Sequence, residues 1–343
     1  MTAASRAFTE AVALLPDAVN PLALSSNESP FAPLPAVQSA LIAAIGAGNR
    51  YPEFLPERLR QLIAGHLDVQ DEQVVIGSGA AGVALQVLHA VTSPGDRIVL
   101  ASPTFDGYPI FAEMARLTSV AVPLDAHGHQ DLDAMADAAT DARVVVLCRP
   151  HNPTGTIESV AEIERFLQRL PADTIVILDE AYVEFLAGEH RIDACDLVVR
   201  YPNVVVLRTF SKAYGLAGLR IGYGLCAPDL GRRLWTMQMP YGTAVTSLVA
   251  VAACLQAESQ LNARIRHITA ERRYFQRKLR SMGVYSTESH GNFLYLPPSI
   301  RLWRNVFHQD GLQIRHYPDG AARITVGTRT STRAVLAALA STP

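Results

Sequence analysis

Cysteine is scarce in this 343-residue chain: Cys148, Cys195, Cys226 and Cys254 are widely spaced and form no CxxC pair. That argues against a disulfide scaffold or a structural zinc module and fits a reducing cytoplasm, the compartment expected for this chain. An excess of charge of one sign is missing too. Lys plus Arg is 30 and Asp plus Glu is 32, a formal net charge of -2, which leaves no general basic field for nucleic acid. Nor is there a long apolar run. Residues 243–257 form the longest, but Thr246 and Ser247 interrupt it and it is too short to span a bilayer comfortably, so a buried helix is the better reading. Residues 1–16 hold one Arg, one Glu and no extended apolar stretch, a poor signal peptide. No repeat or low-complexity segment stands out.

What is present is apolar and well mixed. Hydrophobic residues make up 49% and charged residues 18%, too much and too little for a disordered chain. The length suits two domains, or one large domain with an appendage. From about Val37 amphipathic stretches alternate with short β-rich runs at residues 73–76, 97–100, 119–122, 143–147, 174–178, 204–207 and 221–224. Several of these are nearly continuous Val, Ile and Leu, as expected of strands buried on both faces. With helical stretches between many of them, such as residues 159–170, the pattern is that of an α/β protein with a mostly parallel, helix-covered sheet.

After Tyr241 the texture changes. A long charged helix is expected over residues 258–281, its basic residues forming a solvated face rather than a nucleic-acid patch. Short strands follow near residues 292–296, 313–315 and 323–326, then a C-terminal helix. The expected organisation is therefore an N-terminal arm (1–36) contributing to the smaller domain, a large domain (37–240) and a smaller α+β domain (241–343).

Several segments place chemistry at strand ends. Gly77-Ser78-Gly79-Ala80-Ala81-Gly82 follows a strand and precedes a helix, matching the dinucleotide pattern GxGxxG. The next strand ends Leu100-Ala101-Ser102-Pro103 without the acid that would hold a ribose, so nicotinamide binding is disfavoured. An anion site on the Ala80 and Ala81 amides, or glycines serving only a tight turn, both remain open. Residues 208–220 follow an apolar strand and carry Thr209, Ser211, Lys212 and Arg220. A lysine emerging there is partly desolvated, which lowers its pKa and makes it a usable amine nucleophile. Pro150-His151-Asn152-Pro153-Thr154-Gly155 and Asp179-Glu180-Ala181-Tyr182 follow two further strands. Singly, the first is an ordinary turn signal and the second a helix cap. Together they supply an amide, a carboxylate, a phenol and an amine on one rim.

These segments, in this order, resemble the fold-type I pyridoxal 5'-phosphate (PLP) enzymes of the aspartate aminotransferase superfamily. Within it, the chain is similar to the histidinol-phosphate aminotransferase branch with its actinobacterial aromatic aminotransferase relatives. The run Ser211-Lys212-Ala213-Tyr214-Gly215-Leu216-Ala217-Gly218-Leu219-Arg220, with the Asn-Pro-Thr-Gly and Asp-Glu-Ala-Tyr segments upstream, carries the likeness. It implies that fold, with a seven-stranded, mostly parallel sheet, and PLP as cofactor. It also implies that Lys212 bonds the cofactor aldehyde and later shuttles a proton, that Asp179 pairs with the pyridine nitrogen, and that Tyr182 and Asn152 hold the ring's phenolic oxygen. Phe105 would stack on the ring. Ala80, Ala81, Thr209, Ser211 and Arg220 would hold the phosphate. Tyr51 would reach the cofactor phosphate of a neighbouring subunit, which implies a homodimer with shared sites. Arg323 would grip a substrate carboxylate, Arg315 would be a second substrate-facing arginine, at the position that helps bind the substrate's phosphate in the histidinol-phosphate enzymes, and Asn27 belongs to the arm's substrate-facing motif. The glycine loop departs from the family's usual acids, having Ala81 and Gly82, and the arm lacks a Tyr-x-Pro-Gly element.

The function so implied is transfer of an amino group from a donor, glutamate being expected, to an oxo acceptor, with histidinol-phosphate-like or aromatic substrates ranked first. An amino-acid or amino-acid-phosphate decarboxylase or lyase on the same scaffold is the alternative, as is an aminotransferase of a specialised biosynthetic pathway. A regulator fused to a DNA-binding module is disfavoured, because no basic N-terminal region precedes the arm.

Overall fold

The run Val144–Cys148 is five apolar residues, all buried, a condition met only by a strand covered on both faces. It is an interior strand of the larger of two sheets in a computed structural model that describes residues 16–308 and 311–341. The strands are β1 (Ala23–Leu24), β2 (Val74–Ser78), β3 (Arg97–Ser102), β4 (Thr118–Pro123), β5 (Val144–Cys148), β6 (Ile175–Asp179), β7 (Val204–Thr209), β8 (Ile221–Cys226), β9 (Phe293–Leu296), β10 (Gln313–His316) and β11 (Ala322–Thr325). The helices are α1 (Pro35–Ala44), α2 (Glu57–Leu67), α3 (Gly79–Val91), α4 (Gly107–Met114), α5 (Leu132–Ala138), α6 (Val160–Arg169), α7 (Ala194–Arg200), α8 (Pro228–Trp235), α9 (Val245–Gln256), α10 (Glu258–Ser281), α11 (Trp303–Val306) and α12 (Arg329–Ser341).

The seven-stranded sheet has the order β2-β8-β7-β6-β5-β3-β4. Only β8 runs against its neighbours; β7, β6, β5, β3 and β4 are mutually parallel. This is the mostly parallel sheet expected from the near-continuous Val/Ile/Leu runs. Its orientation positions the site. The carboxyl ends of β3, β5, β6 and β7 form one rim, and because β8 is reversed its amino end joins them, with Arg220 immediately before it. The helices between strands are set by local signals; at α6, Ser159 and Glu162 make a reciprocal capping box.

The second sheet has the order β1-β10-β11-β9. β1 is a two-residue strand that pairs in parallel with β10 at Ala23↔Gln313 and Leu24↔Ile314 and forms one edge of this sheet. The first 15 residues of the expected arm lie outside the described ones. The run at residues 243–257 is indeed a helix, α9, buried at Ser247, Ala250, Val251 and Cys254 and packed on α1 and α2.

One expectation needs correction. The basic face of α10 is not uniformly solvated. Arg272 and Glu271 are buried: Arg272 donates to the Gly291 carbonyl at 2.6 Å, and Glu271 accepts from Arg329 and Thr332. Charge on this helix ties it to α12 and to the turn before β9. Among the described residues, no helix is long and apolar enough to cross a membrane.

Candidate active site

A cavity of about 400 Å³ opens where the rim of the large sheet faces β10, β11 and the arm. Ala80, Ala81, Phe105, Asn152, Asp179, Tyr182, Thr209, Ser211, Lys212, Arg220, Asn27, Arg315 and Arg323 all line it. Of the residues singled out in the sequence, Tyr51 alone is elsewhere. Its side chain is 83% exposed and its ring lies 4.8 Å from that of Tyr241.

Lys212 follows β7 and points back across the cavity. Its Nζ donates to the Ser26 carbonyl of the arm at 3.0 Å and sits 5.8 Å from the centre of the Tyr182 ring. Burial, and secondarily the nearby positive charge of Arg323, push its pKa down to about 8. Asp179 ends β6. Its Oδ2 accepts from the Tyr108 hydroxyl at 2.6 Å and its Oδ1 from the Ala181 amide at 2.9 Å. Burial raises its pKa, and the Tyr108 hydrogen bond opposes that rise. Tyr182, raised to about 12 mainly by burial, accepts from the Asn27 side-chain amide at 2.9 Å. Asn27 is held in turn by Thr325, whose hydroxyl accepts from the Asn27 amide at 2.9 Å, and by Asn292, which donates to the Asn27 carbonyl at 3.1 Å. The arm therefore closes one wall.

At the other end, the first residues of α3 present Ala80 and Ala81. Thr209 donates to the Ser211 hydroxyl at 3.0 Å, and Arg220 Nη1 donates to the same oxygen at 3.3 Å. Gly79 has φ +72°, and a Cβ there would come within 2.5 Å of Arg220 Nη2. At Gly222 a Cβ would fall 2.4 Å from the Ala80 nitrogen. Both glycines are thus needed for the helix start, the guanidinium and β8 to crowd together. Helix-terminal amides, two hydroxyls and a guanidinium form a cradle suited to a phosphate.

Arg315 and Arg323 face each other across β10 and β11, so they share one face of the small sheet. Arg323 is 7% exposed. It bonds the Asn152 side-chain oxygen and the Ser25 carbonyl at 2.6 Å, while its Nε has no partner among the described residues. Arg315 donates to Asp106 at 2.6 Å.

The model of the family described as aminotransferase class I and II matches residues 19–339. The chain belongs to this family.

Its relatives narrow the branch. It is 41% identical over 311 residues to an aromatic amino acid aminotransferase of Cutibacterium acnes, covering 90% of this chain and 88% of that one. Against the protein of the same name from Streptomyces coelicolor it is 40% identical, covering 89% and 86%. Among solved structures, the histidinol-phosphate aminotransferase of Sinorhizobium meliloti in complex with pyridoxal-5'-phosphate superposes with a TM-score of 0.86 at 28% identity, covering 92% of this chain and 89% of that one. The protein is an aminotransferase, and its family implies dependence on PLP.

Four features of this aminotransferase's cavity escaped the sequence reading: Tyr108, Asp106, Phe111 and the Ser26 carbonyl. Tyr108 and Phe111 lie three and six residues beyond Phe105 on α4. That is helical spacing onto one face, and their rings pack edge-to-face with Phe105 at 5.7 and 6.3 Å. The spacing was readable. Contact between Tyr108 and Asp179, 71 positions apart, was not.

Proposed function

We propose that this aminotransferase uses PLP to move the amino group of an amino acid with a neutral aromatic side chain, in the cytoplasm, as a homodimer with shared sites. The observation that carries the reading is the meeting, across one cavity, of Lys212 from the large sheet and Arg323 from the small one. An amine with its pKa lowered to about 8 stands beside a buried guanidinium whose Nε has no partner among the described residues.

The residues fit the cofactor. Bound there, PLP supplies an aldehyde and an electron-withdrawing ring. Lys212 would hold the aldehyde carbon and Asp179 the protonated ring nitrogen, with Tyr108 keeping the carboxylate in place. Tyr182 and Asn152 would hold the phenolic oxygen, Phe105 the ring face, and the cradle of Ala80, Ala81, Thr209, Ser211 and Arg220 the phosphate.

The protein's own groups then perform defined tasks. With its pKa near working pH, the Lys212 amine can both accept and return a proton at the substrate's α-carbon. Arg323, oriented by Asn152 and the Ser25 carbonyl, fixes the substrate carboxylate in two-point fashion. Asn27 anchors the arm over the site and turns Tyr182 inward. The names of the relatives near 40% identity support an aromatic substrate, as does the cavity wall of Phe105, Tyr108 and Phe111. A dimer is supported by the exposed Ile42, Ile45, Tyr51, Phe54 and Tyr241, a set monomers seldom leave in water. It would carry Tyr51 to the partner's cofactor phosphate. The test is Lys212→Ala, which is expected to abolish transamination of phenylalanine in protein that remains folded; near-normal turnover would refute the assignment.

A further inference from the structure

We infer that Asp106 sets the charge at the substrate-anion end of the cavity, and thereby makes the site select a carboxylate over a phosphate monoester. The inference deepens the proposed function and rests on it.

Two arginines stand at that end, directly opposite each other on β10 and β11, yet their surroundings differ. Arg323 is buried among neutral acceptors, the Asn152 side chain and the Ser25 carbonyl. Among the described residues it has no ion-pair partner, and its Nε has no hydrogen-bond partner. Arg315 already has a counter-charge: its Nη2 donates to Asp106 Oδ2 at 2.6 Å. Asp106 sits between Phe105 and α4, and its carboxylate makes no bond to the helix it precedes. The carboxylate is therefore not spent on capping; it faces the cavity and Arg315.

Two guanidiniums and one carboxylate leave a net charge of +1 at this end. Glu28 also lines the cavity, where its charge acts on Lys212 and the two offset each other. A substrate carboxylate carries one negative charge and is matched. A phosphate monoester carries about two near neutrality and is not. Discrimination then comes from a repulsive element built beside an attractive one, rather than from the absence of a cation. The ion pair is half-exposed, with side chains at 46% and 52%, so it adds little to stability. Its effect belongs to binding. Arg315 also lies 5.7 Å from the Tyr317 ring, a contact that keeps the guanidinium near the site when Asp106 is changed.

The test is Asp106→Asn in the PLP-loaded protein, with kcat/KM measured for phenylalanine and for histidinol phosphate. A unit charge acting on a dianion about 6 Å away, with the screening of bulk water, corresponds to about tenfold in affinity. The same charge acts on the phenylalanine carboxylate by about threefold, so the expected result is a rise of about threefold in the histidinol phosphate to phenylalanine ratio, carried by KM rather than kcat. Adding Arg315→Ala to Asp106→Asn should remove the gain. An unchanged ratio while phenylalanine is still turned over would overturn the assignment to Asp106 alone, as would a gain that survives in the double variant. Turnover of neither substrate by the unaltered protein would overturn the proposed function and this inference with it.

Discussion

The free-amine population of Lys212 is the quantity on which the proposed chemistry depends, and pH perturbs it directly. A pKa of about 8, against about 10.4 for an ordinary lysine, makes about half of the amine free at pH 8 instead of about 0.4%. The causes are structural: burial first, then the charge of Arg323, with Glu28 and Asp179 opposing them. Covalent capture of PLP by cofactor-free protein, trapped with borohydride and counted as non-dialysable cofactor, reads this population. The chain favours the assay because it has only two lysines, Lys212 and the exposed Lys278. Lys212→Ala supplies the background. The initial capture rate should rise about tenfold from pH 6 to 7 and level off above about pH 9, with its midpoint near 8. Arg323→Gln, which removes a nearby positive charge, should move that midpoint upward. A rate still climbing steeply through pH 10, or a midpoint indifferent to Arg323→Gln, would refute the reasoning.

Other consequences follow from the same geometry. Arg323→Ala should reduce kcat/KM for phenylalanine by about 100-fold or more, largely through KM, since a charge-assisted two-point contact is lost; Arg323→Lys should recover little of it. Tyr108→Phe removes the hydroxyl that donates to Asp179 at 2.6 Å and should weaken PLP affinity by about tenfold, read by fluorescence titration. Glu184 lines a second cavity, not the one that holds Lys212. Burial raises its carboxyl to about 7, and its Oε2 has no partner among the described residues. The folded protein therefore binds this proton more tightly than the unfolded chain between pH 4.5 and 7, so this group's penalty grows as pH rises through that window. Glu184→Gln should raise Tm by about 2 °C at pH 8 and leave it unchanged at pH 4.5; equal shifts at both pH values would contradict the account.

The large sheet was legible because its strands are buried on both faces, so composition alone marks them: β5 is wholly apolar and β6 is apolar up to Asp179. The same held for Asp179, which ends β6, and for Lys212 and Asn152, three and four residues beyond β7 and β5, all on a common rim by topology. β1 was not readable as a strand. Two residues carry no periodicity, and Ala23 and Leu24 are extended only because β10 offers them partners. Tyr108 and Asp106 were missed for a different reason. Nothing about a tyrosine or an aspartate near a helix start announces a partner 71 or 209 positions away; those contacts exist only after the two sheets have met. The buried Arg272 and Glu271 on α10 escaped similarly, since a charge run reads as solvated until its partners in α12 and the turn before β9 are known.

The most direct measurement of the central claim is the visible spectrum of PLP-loaded protein before and after phenylalanine. Transamination at Lys212 predicts a cofactor band that disappears as phenylpyruvate forms in equal amount, returns when a 2-oxo acid is added, and is absent from Lys212→Ala. Persistence of the band with phenylalanine, or its return with carbon dioxide released and no oxo acid supplied, would contradict the account.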